Sequence, residues 1–425
     1  MTLNAPGSVL LHPVREHRLN NGLLLLTREV HHAPIVSFYV WYRVGSRNEV
    51  PGITGVSHWA EHMVFKGTKR FPKGTADKLV AQHGGVRNGF TWLDYTAYYQ
   101  TLPAAHMRLG IEIEADRMAN SVFDAHEVAS ERGVIISERE GNENHPGFYL
   151  TEELGAAAFK VHPYGQPVVG FKSDLREITR DDLWNHYQTY YAPNNAVAVA
   201  VGDFDTAALL DLVQTEFGTI SRRPDPPPLR VVEPEQEGER RVTVRRPGPV
   251  AQMSIAYHVP GAAHPDTLPL WLLGAVLSTG RSSRLYKSLV MTGLASSAGA
   301  GSALTKDPYL FRVSATARPE TEPEQLEAAA LAEVEKLIAD GVSDAEVAKV
   351  RRQVKAGHVF STEGVTSLAR YLGQYEIAHS WRTFESYVDD LMRVEPEDIT
   401  RVAKTYLTDR NRTVGWFLPT PGAPR

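Results

Sequence analysis

No cysteine occurs anywhere in the 425 residues. Disulfides and thiolate metal sites are therefore excluded, and any metal must be held by histidine and carboxylate. Long apolar runs are also missing: none approaches the ~20 residues that a membrane-spanning helix needs. Residues 1–15 show neither a basic stretch nor an apolar core of the kind an export signal carries. These absences predict a cytoplasmic chain with no membrane partner. Basic charge is not in excess either, since 45 Lys and Arg face 50 Asp and Glu, which removes the electrostatic case for nucleic acid. What remains, 42% hydrophobic and 22% charged, is the make-up of an ordinary globular protein long enough for two cores.

Against this plain background one stretch stands out, residues 55–67. Val56, Trp59, Ala60, Met63 and Val64 follow the i, i+3, i+4, i+7, i+8 spacing of one helix face, while His58, Glu61 and His62 project from the other. Histidines at i and i+4 can share one metal ion, and Glu61 stands beside them without being forced to ligate it. This H-x-x-E-H order is that of a catalytic zinc helix. The competing reading is a solvated helix face that happens to carry two histidines and a glutamate. A catalytic zinc takes three protein ligands and keeps one position for water, so a third ligand must lie elsewhere.

Along the chain, Asn20-Asn21-Gly22 marks a hairpin, and residues 35–44 and 196–201 read as strands. Helices are expected at 75–83, 105–120, 125–140 and 179–191, with a β-rich run at 86–102. Residues 221–241 hold five prolines among charges, the signature of a semi-rigid linker. Beyond it the first half recurs. Residues 175–178, Tyr190 and the Asn195 that opens residues 196–201 are echoed by 392–394, Tyr406 and the Asn411 that opens 413–418, at an offset of 216. Residues 36–44 fall on 252–260 at the same offset. We expect an α+β fold made of two homologous α+β domains, 1–220 and 242–425, joined by the Pro-rich linker at 221–241. The copies cannot share the chemistry, because His58, Glu61 and His62 land on Gly274, Leu277 and Ser278.

Asp124 and Glu127 form a capping-box-like helix start, and within that helix Glu131, Val134, Ile135 and Glu138 lie on one stripe. Two carboxylates among β-branched residues are expensive unless a cation compensates them, and zinc would be that cation. Pairing with Arg132, Arg139 or water is the alternative. Glu112, Glu114 and Asp116 also remain open as ligands on spacing alone.

The His58-x-x-Glu61-His62 helix, the Glu131-Arg132-Gly133-Val134-Ile135-Ile136-Ser137-Glu138 segment and the duplicated half together resemble the pitrilysin/insulysin family of zinc peptidases. Within it the chain is most similar to the short bacterial branch that includes mitochondrial processing peptidase subunits. The resemblance implies one Zn2+ held by His58, His62 and Glu138, with Glu131 supporting and Glu61 as catalytic base. It implies a clam-shell-like half that takes short or unfolded polypeptides, with substrate pairing at the edge strand carrying Asn88, Gly89 and Phe90, where Gly89 would let a peptide backbone approach. Its members complete the site with an Arg and a Tyr that follow a Ser-Arg-Leu run. Here that run is Ser283-Arg284-Leu285, and Val290 and Ser296 stand at the two positions. Arg281, Arg284 or Tyr286 could substitute. Otherwise a homologous subunit without the zinc motif supplies the pair, making this the catalytic member of a heterodimer, with a homodimer as the alternative. The family also contains non-catalytic core subunits of membrane complexes, the competing function.

Overall fold

The computed structural model describes residues 12–420. Residues 1–11, on which much of the expectation of a leaderless start rests, and residues 421–425 lie outside it.

The first half runs β1 (Arg15–Arg18), β2 (Leu24–Glu29), β3 (Ile35–Tyr42), α1 (Val56–Val64), α2 (Thr75–Gln82), β4 (Val86–Thr91), β5 (Thr96–Pro103) and α3 (Met107–Asn120). It continues with α4 (Ala125–Glu143), α5 (Pro146–Ala158), α6 (Lys172–Glu177), α7 (Arg180–Tyr190), β6 (Ala196–Gly202) and α8 (Thr206–Phe217). The second half holds β7 (Arg240–Pro247), β8 (Gln252–Val259), α9 (Thr267–Ser278), β9 (Ala295–Ser302), β10 (Tyr309–Ala317), α10 (Pro323–Asp340), α11 (Asp344–Ser361), α12 (Val365–Ala378), α13 (Trp381–Arg393), α14 (Pro396–Tyr406) and β11 (Arg412–Thr420). The strands form two sheets, β1-β2-β6-β3-β5-β4 and β7-β11-β8-β10-β9. No helix among the described residues is long and apolar enough to cross a membrane.

The duplication holds at the level of single hydrogen bonds. Asn195 donates through Nδ2 to the Tyr190 carbonyl at 2.9 Å, and Asn411 donates to the Tyr406 carbonyl at 2.9 Å. The pairs α3/α10, α7/α14, β2/β7 and β6/β11 all begin 216 residues apart. The offset fails between them, where β10 and especially β9 come early and no helix answers to α2. At the duplicated positions of the motif, Gly274 packs against Gly301, Leu277 is buried, and Ser278 donates to the carbonyls of Gly274 and Ala300. The second copy has a packing face where the first carries His58, Glu61 and His62.

The halves are interlocked. One face of the first sheet packs on α1, α3, α4, α7 and α8. Its other face, carrying Tyr39, Trp41, Val197 and Val199, is covered by Val365, Leu368, Ala369 and Leu372 of α12, a helix of the second half. Conversely Leu150 and Leu154 of α5 lie on the second sheet against Val242, Val244, Ala256 and Phe417. The helices α5 and α12 are each other's counterparts in the repeat. Approach is closest at Gly373, where an added Cβ would sit 2.1 Å from Trp41 Nε1. The linker is held in place too: Glu233 accepts hydrogen bonds from the backbone N–H of Lys160, Val161 and His162 at 2.7, 3.0 and 2.9 Å. It also stops one residue short of Arg240, where β7 starts, so the expected linker end at 241 runs into the strand.

Polar groups close the seam. Asp307 accepts from Arg47 Nε at 2.5 Å and lies 3.2 Å from His162 Nε2, while Asp94 accepts from Tyr164 Oη and from the Lys306 N–H. Burial would raise the Asp307 carboxyl, yet the bonds from His162 and Arg47 prevail and hold it at about 2, below its ordinary 3.8. A depressed acid stabilises the fold above its unfolded value, so this contribution is lost as pH falls from about 4 to about 2. With solvent screening it is worth about 1–2 kcal/mol. Asp307→Asn should flatten that part of the acid-unfolding profile. Parallel profiles for both proteins would show that the seam is not its source.

Candidate metal centre

Helix α1 forms where its sequence permits and starts where Gly55, at φ +88°, turns the chain into it. A Cβ there would meet the Val169 carbonyl at 2.6 Å. Glu49 caps the start, accepting from the Gly55 N–H at 2.7 Å and the Ser57 N–H at 2.8 Å, which answers two otherwise unpaired donors. Val56, Trp59, Ala60, Met63 and Val64 are buried as the periodicity predicts. The opposite face therefore turns toward α4.

There the spacing is that of a cation site. His58 Nε2 lies 3.6 Å from Glu138 Oε1, and His62 Nε2 lies 3.6 Å from Glu138 Oε2. These atoms are too far apart to hydrogen-bond one another, yet they match the edges, roughly 3.3–3.6 Å, of a tetrahedron with bonds of about 2.0–2.2 Å. His58, His62 and Glu138 bring one ligand atom each within 4.8 Å of the others. Burial, then neighbouring His62, pushes the His58 imidazole down to about 3, so it is neutral with a lone pair to give.

The surroundings orient these groups. His62 Nδ1 is 2.9 Å from Glu131 Oε1, which assigns the proton to Nδ1 and leaves Nε2 facing Glu138. Glu131 also pairs with Lys66. Burial tends to raise its carboxyl, but the bonds from Lys66 and His62 outweigh this and hold it low. Glu61 is buried beside the histidines, and Thr91 Oγ1 donates to its Oε2 at 2.6 Å. Burial pushes the Glu61 carboxyl up to about 7, with Thr91 pulling against it.

Glu112, Glu114 and Asp116, open as ligands from spacing, are committed elsewhere: Glu112 to Arg70, Glu114 to Gln100 and Arg117, and Asp116 to Thr68 and Asn120. Nor do Arg132 and Arg139 neutralise Glu131 and Glu138. Arg132 donates to the carbonyls of Leu175, Arg176 and Ile178, and Arg139 pairs with Glu143 and Glu152. The expected stripe is only half buried, since Glu131 and Ile135 are inside while Val134 is exposed and Glu138 opens into a cavity. Glu49 and Lys66 were not singled out by the sequence, because each lies in an irregular segment or at an element end that carries no periodic signal; Thr91 belongs to the expected edge-strand segment 88–91, but its bond to Glu61 was not foreseen.

Asn88, Gly89 and Phe90 lie on β4, the edge of the first sheet, paired only to β5. Asn88 Oδ1 accepts from the Gly89 N–H, and Phe90 meets Trp41 edge-on at 5.4 Å. Glycine at 89 also has a packing reason: a Cβ would stand 2.8 Å from Phe65 Cε2 and 3.0 Å from Tyr98 Cδ1. Val290 packs against the second core, Ser296 is exposed on β9, and neither joins His58 and Glu138 in lining a cavity. Of the possible substitutes, Arg284 pairs with Glu346, and neither Arg281 nor Tyr286 lines that cavity.

A duplicated two-sheet shell with a histidine pair opposed to a carboxylate defines a peptidase-like class, and comparison with known proteins gives its family. Residues 24–171 match the family described as insulinase (peptidase family M16), and residues 177–354 match the peptidase M16 inactive domain. The chain belongs to this family, the one its motifs resemble. It is 29% identical over 407 residues to the zinc protease PqqE of Helicobacter pylori, covering 94% of this chain and 92% of that one. It is 27% identical over 419 residues to a probable mitochondrial-processing peptidase subunit beta of Arabidopsis thaliana, covering 96% and 78%. The crystal structure of a protease from Helicobacter pylori superposes with a TM-score of 0.93 at 29% identity, covering 96% of this chain and all of that one, 100%.

The packing around Gly89 yields a direct test. Gly89→Ala should destabilise the fold by about 1–3 kcal/mol through overpacking, and Phe65→Leu in the same chain should restore part of it. An unchanged denaturation midpoint for Gly89→Ala would show that Phe65 and Tyr98 yield freely.

Proposed function

We propose that this chain is a zinc-dependent endopeptidase acting on short or unfolded polypeptides, with His58, His62 and Glu138 as zinc ligands and Glu61 as base. The observation that carries it is the Thr91–Glu61 hydrogen bond, which ties the end of the open edge strand to the proposed base. A peptide adding to β4 pairs through its backbone, and the bound length is thereby led toward the two histidines. When bound, zinc supplies Lewis acidity to a carbonyl and to water. Glu61 holds Oε2 on Thr91, keeps Oε1 without a hydrogen-bond partner among the described residues, and can accept a proton there and return it to the departing amine. Glu131 keeps His62 in the ligating tautomer. The zinc protease names of relatives support the same reading.

One substitution series tests the division of labour. Glu61→Gln should keep about one zinc per chain and lose hydrolysis, His58→Ala and Glu138→Gln should lose both, and Glu131→Gln should weaken zinc by about 10–100-fold. Zinc content by elemental analysis decides: loss of metal in Glu61→Gln, or weaker retention in Glu131→Gln than in Glu138→Gln, would overturn these roles.

We further propose that the chain is the catalytic subunit of a heterodimer. This rests on Val290 and Ser296, neither of which can donate a charged or phenolic hydrogen bond to an oxyanion, a donor class worth roughly 3–4 kcal/mol. The purified chain should bind zinc yet cleave a quenched peptide slowly, and gain rate when mixed with a homologue that carries the Arg and Tyr but no zinc motif. Full activity alone at dilutions where it is monomeric would refute this; activity that rises with its own concentration would favour a homodimer. A non-catalytic core subunit would stay inactive in every mixture.

A further inference from the structure

The centre opens into a cavity of about 330 Å³, and one wall comes from the second half. His58 and Glu138 stand in it together with Trp92, Phe148, Tyr309 and Arg312. Strand alternation explains how Arg312 arrives there. Phe311, Val313, Ala315 and Ala317 of β10 point into the second core, while Leu310 turns to the face that α5 covers, and Arg312 follows the same parity. Because α5 continues directly from α4, which carries Glu138, this face is brought beside the metal cluster.

Arg312 has no carboxylate partner among the described residues. Its one side-chain hydrogen bond among the described residues runs from Nη2 to Tyr309 Oη at 3.3 Å, its Nε is buried without a partner there, and its guanidinium carbon lies 5.8 Å from the Tyr309 ring. Tyr309 is itself stacked on Phe159 at 5.9 Å, so the group that steadies Arg312 is fixed. The cavity's own carboxylates are engaged elsewhere, Glu152 with Arg139 and Glu138 with the two histidines. A half-buried guanidinium beside Trp92, Phe148 and Tyr309, in a cavity whose two carboxylates face other groups, is costly without an anion, and its planar fork suits a carboxylate held through two bonds.

We propose that Arg312 binds a carboxylate of the peptide beside the scissile bond, making this a peptidase with a preference for acidic or carboxylate-terminated segments. The proposal rests on the peptidase reading. The carboxylate can come from an Asp or Glu side chain or from a free C-terminus.

The test uses the zinc-loaded chain and peptides in which Glu replaces Gln at each position around the cleaved bond, each with a free or an amidated C-terminus. Binding to the Glu61→Gln protein, followed by fluorescence anisotropy, and cleavage by the unmodified protein are read in parallel. A carboxylate should improve affinity by about 10–100-fold over its neutral counterpart. Arg312→Ala should bring that ratio near one, Arg312→Lys should leave it intermediate, and Arg312→Glu should turn it toward Lys-containing peptides. Dependence on the Glu position identifies a side chain, and dependence on amidation identifies the C-terminus. Equal affinity for charged and neutral peptides, no peptide binding at all, or a ratio unmoved by the Arg312 variants overturns the proposal. Cleavage without carboxylate preference would leave the peptidase reading standing, whereas preference in binding with no cleavage, either alone or mixed with a homologue that carries the Arg and Tyr, would leave the Arg312 site standing and remove the peptidase.

Discussion

The exchange of α5 and α12 between the two sheets is the constraint on which the remaining structure depends. Each sheet has one face covered by its own helices and the other by a helix from the opposite half. Removing either helix would bare a wide apolar face, at roughly 25 cal/mol for each Å² exposed to water. The seam network around Asp307 and the Glu233 clamp on residues 160–162 then fix the angle between the halves. The cavity at the metal centre follows, because α4 leads into α5 and α5 reaches the second sheet.

The centre itself balances opposing costs. Burial favours a neutral His58 and pushes the Glu61 carboxyl up, as the proposed roles of ligand and base require. Glu131 stays low because Lys66 and His62 both donate to it, while Glu138 faces the cavity opposite His58 and His62. The four acidic and imidazole groups thus differ in role because their neighbours differ. The same five-residue spacing in α9 shows the reverse case, where packing has replaced chemistry.

Periodicity made α1 legible, since the buried stripe and the His58/Glu61/His62 face are both local properties of nine residues. The i, i+7 relation of Glu131 and Glu138 was equally local, although Val134 was misplaced because the outer edge of α4 is open to solvent. The repeat could be read because Asn195 and Asn411 perform the same cap-like task. Three kinds of feature escaped. Helix α5, with Gly147 and Gly155 and weak amphipathicity, is shaped by a sheet formed about a hundred residues later. Glu49 acts from a loop, and nothing nearby marks it as a cap. Arg312 sits in an alternating strand pattern whose destination depends on α5.

The exchanged helices also govern how the molecule can be made. The Trp41 face of the first sheet is completed only by a helix ending at Ala378, so a nascent chain that has finished its first half still carries that face uncovered. The two halves therefore cannot mature one after the other during synthesis, despite their common ancestry. Shielding of that face until α12 has been made becomes part of how this protein reaches its native state.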